Sequence, residues 1–156
     1  MDHATEKIEI TISSRFENIE LVQVIAEHLC ESVGMDDDGS HWIGMAVREG
    51  VANAIKHGNR LDSRKRVFAT FQLELDALEI RIEDEGAGFD PGAVSDPLNP
   101  QNLMKTSGRG IFYMRTFMDI VEYRFEGTGT MLRMRKQLRN REGVTSTEPQ
   151  PRPTSK

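Results

Sequence analysis

Leu78-Glu79-Ile80-Arg81-Ile82-Glu83-Asp84-Glu85-Gly86-Ala87-Gly88 is the stretch on which the fold turns. Leu78, Ile80 and Ile82 alternate with charged residues, the two-residue period of a strand covered on one face. Asp84 shares their parity, so the strand carries a carboxylate onto the covered side just as it ends. A carboxylate there needs donors, because burying it unpaired costs several kcal/mol. Gly86 and Gly88 follow at once; they permit positive φ and, lacking side chains, let another group lie against the backbone. A strand that merely ends in an acidic, glycine-rich turn shows the same composition, and it is the parity of Asp84 that favours a site.

Working outward, Val67, Ala69, Phe71, Leu73 and Leu75 alternate in the same way, and Asp76-Ala77 separates them from Leu78. The two runs predict an antiparallel hairpin. Ile8, Ile10 and Ile12 share one parity and predict a first strand over Lys7 to Ile12. Glu17 to Ser32 has helical spacing, with Ile19, Val22, Ala26 and Leu29 in one stripe, and Gly34 ends it. The run Asp36-Asp37-Asp38-Gly39 lacks the spaced ligands of a calcium loop and is expected to be a solvated turn. Ser40 is the expected N-cap of a second helix reaching His57, with Gly58 its left-handed terminator.

Asp90 to Ser107 carries Pro91, Gly92, Pro97 and Pro100 and has no period, which predicts a long loop. A helix over Gly110 to Met118 follows, then strands over Ile120 to Phe125 and Thr130 to Leu138. Apolar residues nearly vanish from Arg139 onward, so one domain over residues 1–138 and a disordered tail over residues 139–156 are expected. The strands need helices on one face only, the pattern of an α+β two-layer sandwich with a mixed, mostly antiparallel sheet.

The bulk numbers narrow the function. The net charge of -5 does not favour a nucleic-acid-binding surface. Cys30 is the single cysteine, which leaves no internal disulfide and no cysteine-rich zinc site; a small buried hydrophobe is expected there. No apolar run approaches the roughly 20 residues of a membrane span and no signal peptide opens the sequence, so a cytoplasmic protein is expected.

Two further stretches carry chemistry. On the second helix Glu49, Asn53 and His57 lie four apart, which stacks them along one face. Asn is a poor residue within a helix because its amide competes with the backbone, and an oxygen ligand to magnesium would compensate for it. Glu49, one turn away, suits acceptance of a proton from an attacking hydroxyl or water. A solvated helix face would also bear a Glu and an Asn. Ser107-Gly108-Arg109-Gly110 opens the third helix, where free N–H groups and the helix dipole favour phosphate. There is no G-x-x-x-x-G-K-[ST] of a P-loop, and Gly86 and Gly88 do not form a dinucleotide fingerprint.

In this order the three stretches resemble the boxes of the GHKL superfamily of ATP-binding domains, which has the Bergerat fold, over roughly Ile8 to Leu138. Glu49 to Asn59 matches the N box, Asp84, Gly86 and Gly88 match the D-x-G-x-G of the G1 box, and Gly108 to Gly110 matches the G2 box. The resemblance implies ATP and Mg²⁺ as cofactors, Asn53 as the metal ligand and Asp84 as the group that selects adenine. It also implies nucleotide contacts from His57, Gly86, Gly88, Gly108, Arg109, Gly110 and Thr130, beneath a lid formed by the preceding loop, with Glu85 facing solvent.

The small size is similar to the anti-sigma-factor serine kinases of that superfamily. For them the resemblance implies Glu49 as catalytic base, a sigma factor and an anti-anti-sigma (STAS-domain) protein as partners, a homodimer, and no nucleic acid or membrane contact. Two rivals remain: a nucleotide-dependent anti-sigma switch without phosphoryl transfer, and a detached histidine-kinase catalytic domain. Glu49 and the lack of an H-[ED] context at His3, His28 and His41 speak against the second.

Overall fold

The computed structural model describes residues 5–87, 109–125 and 128–138. The alternating runs become strands: β1 (Glu6–Ser13), β2 (Arg66–Leu73), β3 (Ala77–Asp84), β4 (Ile120–Phe125) and β5 (Thr130–Gln137). They form one sheet in the order β1-β2-β3-β5-β4, and every neighbouring pair is antiparallel. The sheet expected to be mixed is therefore antiparallel throughout its described residues. The last hairpin lays β5 beside β3, with Ile82 opposite Leu132 and Ile80 opposite Met134, which leaves β1 and β4 as the edges.

Three helices among the described residues supply the second layer. Helix α1 (Ile19–Ser32) follows a 3-10 turn at Phe16–Asn18 and buries the predicted stripe of Ile19, Val22, Ala26 and Leu29 together with Cys30. Burial, reinforced by the carboxylates of Glu27 and Glu31, pushes the Cys30 thiol up to about 12, so it packs as a hydrophobe. Helix α2 (Asp37–Asn53) buries Ile43, Val47 and Val51 against the inner face of the sheet, and helix α3 (Arg109–Phe117) adds Met114. At Gly50 α2 approaches so closely that a Cβ would stand 2.7 Å from Ile82 Cδ1 and 2.8 Å from Leu132 Cδ2. Trp42 lies flat on Phe117 of α3, with centroids 4.6 Å apart and planes 3° from parallel, and also stacks on Tyr113 at 5.1 Å.

Two expectations about α2 are corrected. The acidic run is not a solvated turn but the start of the helix. The Asp36 carboxylate accepts from the Gly39 N–H at 2.7 Å as the N-cap, and Asp37 and Asp38 complement the positive end of the dipole. Ser40 is accordingly not the cap; it is buried within the helix, and its hydroxyl has no hydrogen-bond partner among the described residues. At the other end Gly58 does not terminate the helix in a left-handed conformation. The helix widens into a π turn over Ala54–Gly58, with the Asn59 N–H donating to the Ala54 carbonyl at 2.8 Å. Positive φ falls instead on Arg60 (52°) and Leu61 (61°).

The outer face of the sheet is a ladder of charge. The Glu79 carboxylate sits among three guanidiniums, 2.6 Å from Arg81, 2.8 Å from Arg133 and 3.4 Å from Arg135. Burial works against its charge, but the Arg133 and Arg81 hydrogen bonds outweigh it and hold the carboxyl below its usual range.

Candidate functional site

The close contact at Gly50 sets the course of α2, over Ile82 and Leu132, toward the C-terminal end of β3. The π turn then brings Gly58 directly onto Asp84; a Cβ there would overlap the carboxylate. This close approach, rather than a left-handed φ, is why the position requires glycine. Gly86 is likewise needed for proximity, since its missing Cβ would meet the Gly58 carbonyl oxygen. Gly129 does combine both demands: its φ is +147° and a Cβ would meet the Asp84 carbonyl oxygen.

Asp84 stands at the meeting point of these turns, with its parity as read from the sequence. Its Oδ1 accepts two backbone N–H groups, from Gly86 at 2.9 Å and from Thr130 at 3.1 Å. Its Oδ2, on the Gly58 side, has no hydrogen bond among the described residues. Burial pushes the Asp84 carboxyl above its ordinary value, and the two backbone bonds only partly oppose this. Among the described residues the carboxylate is therefore half satisfied, with one oxygen held and the other open to a donor.

Asn59 holds the corner together. It is 0 % exposed, its Nδ2 donates to Ser14 Oγ at 2.7 Å and to the Arg66 carbonyl at 2.9 Å, and its Oδ1 accepts the Glu85 N–H at 2.8 Å. One side chain thus ties the exit of α2 to the end of β1, the start of β2 and the end of β3. Glu85 stays partly open to solvent, its side chain 35% exposed, while its Oε2 accepts the Arg66 N–H at 2.7 Å and caps the first donor of β2.

On α2, Glu49 and Asn53 are both half-buried and one turn apart. Burial pushes the phenol of Tyr123 on β4 up to about 12, with the Asn53 side chain opposing that shift and the Glu49 carboxylate adding to it. His57 leaves this pair: it lies in the π turn, whose wider winding takes it off the four-residue path, and it is exposed. Thr130 is brought to the site through its N–H, as the bond to Asp84 shows. Arg109 and Gly110 form the first positions of α3. Gly88, Gly108, the expected lid and the tail over residues 139–156 lie outside the described residues.

The donor set suits magnesium. The cation keeps several waters and takes one or two protein oxygens beside substrate phosphates, and the amide of Asn53 offers one carbonyl oxygen. Among the described residues no group of three or more His, Cys, Asp and Glu side chains forms an all-protein cage.

Comparison with known proteins agrees with this arrangement. The family model of the histidine kinase-like ATPase domain matches residues 12–136. Serine-protein kinase RsbW of Halalkalibacterium halodurans is 30% identical over 96% of this chain and 98% of its own. The protein of the same name from Bacillus licheniformis is 28% identical over 92% of each chain. That from Listeria innocua is 23% identical over 81% of this chain and 85% of its own. With the Asp84 corner, the Glu49–Asn53 helix and the start of α3 all within the matched span, the chain belongs to the histidine kinase-like ATPase domain family, on the branch of the serine-protein kinases.

Proposed function

We propose that the chain is an ATP-dependent serine-protein kinase and anti-sigma factor, which holds a sigma factor and phosphorylates a serine of an anti-anti-sigma (STAS-domain) partner. The observation that carries this reading is the open Oδ2 of Asp84, walled by Gly58, at the end of the helix that bears Glu49 and Asn53. An exocyclic amine of adenine is the donor that oxygen lacks. The helix start at Arg109 and Gly110 offers N–H groups to the phosphates.

In this reading Glu49 accepts the proton of the partner's serine as its oxygen attacks the γ-phosphorus. A new P–O bond forms, the bond to the β-phosphate oxygen breaks, and ADP leaves. Asn53 turns its carbonyl oxygen to Mg²⁺, which when bound neutralises charge developing on the phosphates. A homodimer and a cytoplasmic setting belong to the same reading; no helix among the described residues is long and apolar enough to cross a membrane.

Radiolabelled ATP, Mg²⁺ and a STAS-domain candidate test it. Acid-stable phosphoserine is expected on the partner with the wild-type chain. With Glu49→Gln the label is expected to fall at least about a thousandfold while calorimetry still detects ATP. Equal labelling by the variant removes Glu49 as base. Acid-labile phosphate on a histidine indicates a histidine kinase, and ATP binding without any transfer indicates a switch.

A further inference from the structure

Asp84 Oδ2, which no described residue hydrogen-bonds, lies between two chain ends, and one amide is tied to both. Gly58 walls that oxygen from the exit of α2, and Asn59 is the next residue. Asp84 ends β3, and Glu85 is the next residue. The Glu85 N–H donates to Asn59 Oδ1 at 2.8 Å. This bond joins the residue after one wall to the residue after the other, so it sets the gap between them.

The same bond belongs to a closed ring. The Arg66 N–H donates to Glu85 Oε2 at 2.7 Å, and the Arg66 carbonyl accepts Asn59 Nδ2 at 2.9 Å. Arg66 opens β2, whose next residue, Val67, pairs with Asp84 across the sheet. Asn59 Nδ2 also donates to Ser14 Oγ at 2.7 Å, and that hydroxyl donates to the Lys65 carbonyl at 2.8 Å. The orientation of the amide follows from its partners, since a backbone N–H can only donate and a carbonyl can only accept. Asn59 and Ser14 are both buried, and with its donors and acceptor all engaged the amide is held one way round.

The backbone is strained to bring it there. Arg60 and Leu61, next in sequence, have φ of 52° and 61°, left-handed values that residues other than glycine adopt at a cost. A helix can end on a single left-handed glycine without that strain. The strained exit is the one that carries Asn59 to Glu85.

We infer that Asn59 is a positioning residue for base selectivity: by fixing Gly58 and Asp84 relative to one another, it keeps Asp84 Oδ2 where the exocyclic amine of adenine can reach it. This rests on the function proposed above. Asn59 touches no ligand in this scheme and acts through Asp84. A residue that served the fold alone would weaken every nucleotide alike. A residue that aims Asp84 weakens those that carry the amine.

The test compares ATP with purine riboside triphosphate, which is ATP without its exocyclic amine, by calorimetry in the presence of Mg²⁺. The wild-type chain is expected to prefer ATP by about tenfold or more. With Asn59→Ala the affinity for ATP is expected to fall about fivefold to tenfold, and that for the amine-free analogue by no more than about twofold, so that the preference collapses. In an Asp84→Asn background the same change is expected to leave the ATP affinity where it was. An equal loss for both nucleotides, or a preference that survives, overturns the role. Should Asn59→Ala fail to fold, Ser14→Ala carries the test, because it removes one partner of the amide and leaves the amide in place. The preference is then expected to shrink by about twofold to threefold, and an unchanged preference overturns the inference. A wild-type chain that binds the two nucleotides equally, or neither, overturns the parent reading instead.

Discussion

Two carboxylates on β3, five positions apart, are handled in opposite ways. Glu79, on the outer face, is enclosed by Arg81, Arg133 and Arg135 and held below its ordinary pKa. Asp84, on the inner face, meets among the described residues two backbone N–H groups on one oxygen, and burial raises it above its ordinary pKa. The first is saturated and so serves the sheet. The second is left short of donors among the described residues, beside glycines that keep space around it, and in the proposed function it serves the nucleotide. Full satisfaction and half satisfaction are what separate a structural charge from a binding one on a single strand.

The sharpest way to break this contrast is Asp84→Asn. The affinity for ATP is expected to fall at least about thirtyfold, the loss of one charge-assisted bond of about 2 kcal/mol, read by calorimetry. Thermal stability at neutral pH should not fall with it. A carboxyl raised in the folded state stabilises the fold fully only below its unfolded pKa, and that contribution is lost as pH rises through the folded value. At neutral pH the ionised Asp84 therefore weighs on the empty protein, and an amide relieves it. A variant that melts early yet binds ATP normally would reverse the two roles.

Glu79→Gln should do the opposite, lowering stability by about 2 kcal/mol in urea unfolding while ATP binding persists. Its folded pKa is depressed, so the stability it contributes is present above the unfolded value near 4.5 and lost as pH falls through the lowered one. The gap between wild type and variant should accordingly close in acid. A gap that persists under strong acid would mean that packing, not charge, is what the residue supplies.

The mildest probe is Gly58→Ala. The added methyl displaces the Asp84 carboxylate without demanding a new backbone conformation, since φ at this position is not in the left-handed region. ATP affinity is expected to drop about fivefold to tenfold, and the melting temperature to fall as the displaced carboxylate strains its bonds to the Gly86 and Thr130 N–H groups. Undiminished affinity would show that Oδ2 is not the oxygen that meets the nucleotide.

Most of the fold was legible because alternation and helical stripes are local signals; each predicted strand and helix is present within a few residues of its expected ends. Asp84 was legible for the same reason, as parity fixes a face. What escaped reading depends on distant partners. Asn59 follows the helix as an ordinary polar residue, and its partners Ser14, Arg66 and Glu85 come from three separate strand ends. The Asp36 cap was misjudged because capping and turn formation favour the same residue types. The π turn has no compositional mark; it arises where Asn59 and Asp84 must both be reached from one helix end.

Trp42 is the sole tryptophan of the chain, and it lies face to face with Phe117 of α3, the helix whose first turn meets the phosphates in the proposed function. Its indole is a native optical probe: displacement of α3 by an occupant at its tip alters the ring stack and hence the emission. In the proposed function, nucleotide occupancy is expected to register as a change in the intrinsic fluorescence of the unlabelled protein, under excitation selective for this one indole over the two tyrosines.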